Sequence, residues 1–134
     1  MARKNAKLKQ SEQCPCGSGS DYTKCCAQYL GGQWPETAEQ LMRSRYTAFT
    51  QNAEDYLLET WHEQTRPQSL NLCEQPVIKW TGLKVVSHSS TIDKAEVEFI
   101  ARYKINGKAE KIHELSHFIK LDGRWFYVNG DNIH

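Results

Sequence analysis

Four of the five cysteines in this 134-residue chain occupy one run, Cys14-Pro15-Cys16-Gly17-Ser18-Gly19-Ser20-Asp21-Tyr22-Thr23-Lys24-Cys25-Cys26. A unit this short cannot bury a core of its own, so something else must hold it closed. Disulfides are a poor answer. A vicinal Cys25–Cys26 bond is strained, and Cys14–Cys16 closes a very small ring. Four thiolates about 2.3 Å from one ion complete a tetrahedral site instead, and metal binding then provides the folding energy. Gly17 and Gly19 permit the sharp bend that such close ligands require, and Pro15 sets φ between the first two. Ser18 is placed to hydrogen-bond backbone or a thiolate, and Tyr22 to plug the unit's apolar side. Four sulfur ligands leave no open position, which makes the site structural rather than catalytic. Zinc is the first expectation; iron also accepts four sulfurs.

The run Cys-Pro-Cys-Gly-Ser-Gly-x-x-Tyr-x-x-Cys-Cys resembles the SEC-C motif, a zinc knuckle named for the C-terminus of the SecA translocation ATPase. The resemblance implies that Cys14, Cys16, Cys25 and Cys26 are the metal ligands. It also implies a protein partner met through the knuckle, of a chaperone, ribosome or translocation kind. Of the lysines frequent around such motifs, this chain has Lys24, with Ser20 and Asp21 nearby.

Composition bounds the rest. With 39% hydrophobic and 25% charged residues, the chain is that of a soluble globular protein rather than a disordered one. A formal charge of +1 provides no bulk field toward nucleic acid or membrane. No basic patch interleaved with aromatics suggests specific nucleic-acid binding, and no G-x-x-x-x-G-K phosphate loop occurs. No apolar run reaches transmembrane length, and the polar start lacks a signal-peptide core. The expected compartment is the cytoplasm, where cysteine is seldom spent on disulfides.

Residues 1–13 place Arg3, Lys4, Lys7 and Lys9 against Glu12, reading as a basic flexible arm. The knuckle spans 14–32, ending at Gly31-Gly32, and Pro35 precedes a main domain over 36–130. There, Thr37 caps a helix with Gln40 as its capping-box partner. Ala38, Leu41, Met42, Arg45, Tyr46 and Phe49 share one face of that helix. A second helix is expected over 53–62 and a further turn over 69–73. Strands follow over 77–87, 94–104, 111–121 and 125–128. Asn106-Gly107 and Asp122-Gly123 read as tight hairpin turns. Helices followed by a strand meander predict an α+β fold.

The stretches at 41–49 (LMRSRYTAF), 55–62 (DYLLETWH), 97–103 (VEFIARY), 113–118 (HELSHF) and 123–130 (GRWFYVNG) resemble the YchJ family of bacterial proteins. The resemblance implies a nuclear-transport-factor-2-like cone, with helices packed on a curved antiparallel sheet and a pocket between.

A two-residue loop at Asn106-Gly107 pairs Ile105 with Lys108, and hence Phe99 with Glu114, Val97 with Ser116, Ala95 with Phe118 and Glu96 with His117. A tight turn at Asp122-Gly123 pairs Phe118 with Tyr127. One face then carries Val97, Phe99, Ile112, Phe118 and Tyr127, with Glu114 and Ser116 among them. A carboxylate on an apolar face needs a partner, and Arg43 or Arg45 is the expected one. Glu114 is either a general base or ligand anchor beside Ser116, Arg45, Tyr103, Trp61 and His62, or a member of a satisfied polar network. His113 and His117 fall on the opposite face. Trp34, Trp61, Trp80 and Trp125 are expected in the core or pocket wall, and Cys73 as a small buried hydrophobe. Two functions compete: an adaptor docking through its knuckle, and an enzyme or small-ligand binder working around Glu114.

Overall fold

The computed structural model describes residues 12–72 and 77–133. The basic arm with Arg3, Lys4, Lys7 and Lys9, and also Cys73, lie outside the described residues. A short 3-10 turn (Tyr22–Lys24) leads into α1 (Cys26–Leu30), α2 (Ala38–Thr50) and α3 (Glu54–Glu59). Four strands follow: β1 (Ile78–Ser90), β2 (Lys94–Ile105), β3 (Lys108–Leu121) and β4 (Arg124–Asn132). Among the described residues no helix is long and apolar enough to cross a membrane.

α2 starts where its sequence says. Thr37 accepts from the Gln40 amide, and the Gln40 side chain accepts from the Thr37 amide, so two helix-end donors are satisfied reciprocally. Ala38, Leu41, Met42 and Tyr46 lie on its buried face. They meet Ala95, Val97, Phe99 and Ala101, the alternate residues of β2, together with Phe118 and Trp125. This is helix-on-sheet packing, in which each fully buried large apolar side chain contributes about 1.5–3 kcal/mol. The second helix is shorter than the expected 53–62, because the chain leaves it at Thr60 to run beside β4. The His62 amide donates to Tyr127 O (2.8 Å), and the Tyr127 amide to Thr60 O (2.9 Å).

The hairpins form in the expected register, with Ile105 opposite Lys108, Phe99 opposite Glu114, Val97 opposite Ser116 and Phe118 opposite Tyr127. Asn106, Gly107, Asp122 and Gly123 all have positive φ, between 51° and 81°, as tight hairpin turns demand. The expected cone does not form. The sheet is an open, all-antiparallel meander in the order β1-β2-β3-β4, neither closed nor curled into a cone. Each strand pairs only with its neighbours in sequence, so β1 and β4 are the outermost strands, β4 being covered at Tyr127 by the Thr60–His62 segment. Irregularities at Trp80/Gly82, Val85/Ser87 and His117/Phe118 adjust the ladder locally without bringing the edges together.

Candidate functional site

The cysteine run folds into a loop closed at its base. A bridge joins Gln13 to Asp21, Tyr22 N donates to Glu12 O (2.9 Å), and Cys14 N donates to Ser20 O (2.9 Å). Gly17 and Gly19 take the positive φ expected of them, +80° and +89°. The result gathers one sulfur from each of Cys14, Cys16, Cys25 and Cys26 within 4.8 Å of one another. Four ligands at about 2.3 Å from a central ion would lie about 3.8 Å apart along each tetrahedral edge. The Cys16–Cys25 and Cys25–Cys26 sulfurs are 3.6 and 4.0 Å apart, so this set fits a metal ion. Cys14, Cys16 and Cys26 are buried, and the hydroxyls of Ser18 (3.3 Å from Cys25 Sγ) and Thr47 (3.8 Å from Cys14 Sγ) touch the sulfurs.

Electrostatics follow from that crowding. The Cys16 thiol is held below its ordinary value, first by its hydrogen bond with Cys14 and then by that with Cys26. The Cys14 thiol is pushed up to about 11, first by its hydrogen bond with Cys16. Cys26 is pushed up as well, first by its hydrogen bond with Cys14. Within the cluster, negative charge is thus favoured on Cys16, while Cys14 and Cys26 release their protons less readily.

The knuckle is seated on α2 and β1, a contact that spacing along the chain does not reveal. Arg43 Nη1 donates to Cys16 O (2.7 Å), and its Nε donates to Glu39 (3.0 Å). Gln51 Nε2 donates to the Tyr22 hydroxyl (3.0 Å). Leu83 packs against both the cysteine cluster and the main core. The segment after the knuckle is pinned too: Trp34 Nε1 donates to Trp125 O (3.2 Å), and the Arg124 guanidinium lies 4.8 Å over the Trp34 ring.

Behind α2 lies a cavity of about 470 Å³ between the helix and the sheet. Glu114, Ser116, Arg45 and Trp61 line it, whereas Tyr103 and His62 do not. Tyr103 stands behind Trp80 (ring centroids 5.4 Å apart), and His62 belongs to the bridge beside β4. Among the described residues Glu114 forms no ion pair, so neither expected arginine is its partner. Arg43 is taken by the knuckle. Arg45 Nη1 donates to Leu57 O (2.8 Å) and Thr60 Oγ1 (2.7 Å), and its guanidinium lies over Trp61 (5.0 Å) and Tyr127 (4.4 Å). The reason is local. The last turn of α3 offers a carbonyl at its negative end, and two aromatic faces complete a cation site without a carboxylate. Burial lowers Arg45 to about 10, so it stays charged at neutral pH.

Glu114 is held by hydroxyls instead. Ser116 Oγ donates to its Oε2 at 2.7 Å, and the Tyr127 hydroxyl reaches the same oxygen at 3.4 Å. Gly130, opposite Ser116 on β4, makes room for this carboxylate, since a Cβ there would collide with it. The signal was present in the sequence, because an isolated glycine in a strand marks close approach. On the other face, His113 pairs with Glu98 (2.7 Å), while His117 sits between Glu96 (3.4 Å) and Asp131 (2.8 Å).

An open α+β sheet domain carrying a docked four-cysteine knuckle defines the class. The SEC-C motif profile matches residues 11–28, and the profile described as "YchJ, middle NTF2-like domain" matches residues 37–130. The chain belongs to the YchJ family, also called UPF0225. A UPF0225 protein of Chromobacterium violaceum is 50% identical over 123 residues, covering 87% of this chain and 90% of that protein. One of Methylibium petroleiphilum is 46% identical over 120 residues, covering 88% and 87%. Among solved structures, the solution structure of a SEC-C motif containing protein from Rhodopseudomonas palustris superposes with a TM-score of 0.83 at 33% identity, covering 90% of this chain and 98% of that one. A crystal structure of a SEC-C motif containing protein from Psychrobacter arcticus gives 0.73 at 29% identity, covering 90% and 82%.

Proposed function

We propose that this chain is a cytoplasmic adaptor whose knuckle holds a structural zinc ion and meets a protein partner of the chaperone, ribosome or translocation kind. Cys14, Cys16, Cys25 and Cys26 would hold the ion. Bound zinc would cross-link the two ends of the loop and neutralise the thiolates. One observation carries the reading: the sulfurs are clustered and mostly buried, while residues 17–21 of the loop between them are exposed. The metal would rigidify the interior and the loop would be the contact surface, seated on α2 so that it keeps one orientation. The test has two arms. Metal analysis of the purified chain is expected to give one zinc per chain, with a large loss in Cys16→Ser. Affinity capture with wild type and Cys16→Ser is expected to give different partners. Identical partner sets with and without an intact knuckle would sink the adaptor role.

A second reading, a small-ligand site around Glu114, is favoured by a specific observation. Between α2 and the sheet lies a cavity of about 470 Å³ whose largely apolar wall carries a few converging polar groups, Glu114, Ser116 and Arg45 among them. An enlarged melting temperature in the presence of a saturating guest would support it.

A further inference from the structure

Two charged groups face the cavity with hydrogen-bonding capacity left over. Arg45 is only 4% exposed, and both of its bonds run from Nη1, to Leu57 O and Thr60 Oγ1. Its Nε and Nη2 donors have no acceptor among the described residues. They are not sealed in protein either, because among the described residues Trp61 Nε1 is the one closed side-chain atom without a partner. The Nε/Nη2 edge of the guanidinium is therefore open, and the opening available to so buried a residue is the cavity that it lines. Glu114 is the counterpart. The Ser116 and Tyr127 hydroxyls both take its Oε2, which leaves Oε1 without a partner among the described residues and open on the same ground.

These two charges form no ion pair with each other. Tyr127 spaces them: the Arg45 guanidinium lies 4.4 Å from its ring centroid, and its hydroxyl is 3.4 Å from Glu114 Oε2. Each class of guest can be weighed against that arrangement. An anion gains the open arginine edge but meets the Glu114 carboxylate. A cation gains Glu114 Oε1 but meets Arg45. Like charges in a poorly hydrated site repel strongly. An uncharged apolar guest leaves both groups unanswered. A guest with a carboxylate and an ammonium a few bonds apart answers both at once, each through charge-assisted hydrogen bonds. The Nε/Nη2 edge is also the planar fork that matches a carboxylate's two oxygens. The remaining wall, with Phe49, Trp80 and Phe99 along it, suits a large apolar group, and about 470 Å³ is the volume of an ordinary small-molecule site.

We propose that this cavity binds a free α-amino acid with a large apolar or aromatic side chain. Its carboxylate takes the Nε/Nη2 edge of Arg45, its ammonium donates to Glu114 Oε1, and its side chain lies against the aromatic wall. This rests on the ligand-site reading above and names the ligand class for it.

Four probes titrated into the full-length chain and followed by amide NMR test each part of the guest. L-phenylalanine has all three groups, 3-phenylpropanoate lacks the ammonium, 2-phenylethylammonium lacks the carboxylate, and L-alanine lacks the ring. Phenylalanine is expected to bind saturably, to move the β3 resonances around Glu114 and Ser116, and to bind about tenfold more tightly than each of the other three. Glu114→Gln keeps an oxygen for Ser116 but removes the charge. It is expected to erase the preference for phenylalanine over 3-phenylpropanoate and to keep the preference over 2-phenylethylammonium. The amide spectrum of the sheet reports whether this variant stays folded; if it does not, the wild-type ranking of the probes decides alone. If any of the three lesser probes binds wild type as tightly as phenylalanine, or a folded Glu114→Gln keeps the full preference, the amino-acid class is wrong while the ligand site survives. If no probe binds up to its solubility limit, the ligand-site reading falls as well.

Discussion

Replacing Gly130 by alanine isolates what holds Glu114. Gly130 does not have a positive φ, so alanine suits the backbone and by itself contributes about 0.4–1 kcal/mol through a stiffer unfolded chain. Its Cβ, however, would occupy the Glu114 carboxylate position and lie 2.8 Å from Glu114 Cγ. The carboxylate must swing away, which breaks its 2.7 Å bond from Ser116. Ser116 is fully buried, and its other contact is the Met42 sulfur at 4.0 Å. A hydrogen bond to a charged acceptor contributes about 1.5–3 kcal/mol, so the net cost is about 1–2 kcal/mol after the backbone gain. The same substitution in a Glu114→Ala background removes the collision and leaves only the backbone gain, turning the sign to stabilising by about 0.5 kcal/mol. Urea denaturation of the four proteins in this cycle measures the coupling directly. Equal destabilisation in both backgrounds would show that Gly130 is required by its own backbone and not by Glu114.

Gly17→Ala places a Cβ 2.7 Å from Leu83 O at a backbone with φ +80°, so it is expected to cost about 1–3 kcal/mol and to unseat the knuckle; faster hydrogen exchange at the Cys14 amide with the sheet unchanged would be the signature. Tyr46, Tyr56 and Tyr127 are each pushed up from 10.0 to about 12, chiefly by burial. The unfolded chain therefore loses these protons first, and stability from these groups is complete below pH 10 and lost as pH rises toward 12. Absorbance titration is expected to show these three ionising late, together with unfolding; a single early class with the fold intact would contradict it. Glu54 is held below the usual carboxylate range by backbone bonds from Leu70 first and Leu72 next. Its contribution is present above pH 4.5 and lost as pH falls through the lower folded value, so the Leu70 and Leu72 amides are expected to lose exchange protection in acid while the sheet amides do not.

Local rules carried a good part of this molecule. The capping box of α2, the turns at Asn106-Gly107 and Asp122-Gly123, and every pairing between β2 and β3 were legible, because a tight turn sets the register of all residues that follow it. Placing Glu114 beside Ser116 on the apolar face followed from that register alone. Its partner did not. Arg45 has the right helix face for Glu114, yet the α3 carbonyl and two aromatic rings compete better for the guanidinium, and that competition involves segments whose positions only packing sets. The bend of the sheet was likewise out of reach. Pairing rules specify neighbours, whereas closure depends on whether the two outermost strands meet, and here they do not.

The cysteine cluster divides the same way. Its spacing determined, without any fold, that four sulfurs would converge and that glycines would make the bend, because short chain separations leave few alternatives. What the cluster rests on was decided by tertiary structure. Arg43, Thr47, Gln51 and Leu83 lie far along the chain, and their contacts with the knuckle arise only when α2 and β1 pack together. The sequence alone specified a metal-ready loop and a sheet in register; packing decided that the loop is seated, that Arg45 bonds the end of α3 rather than Glu114, and that a cavity lined by both remains between helix and sheet.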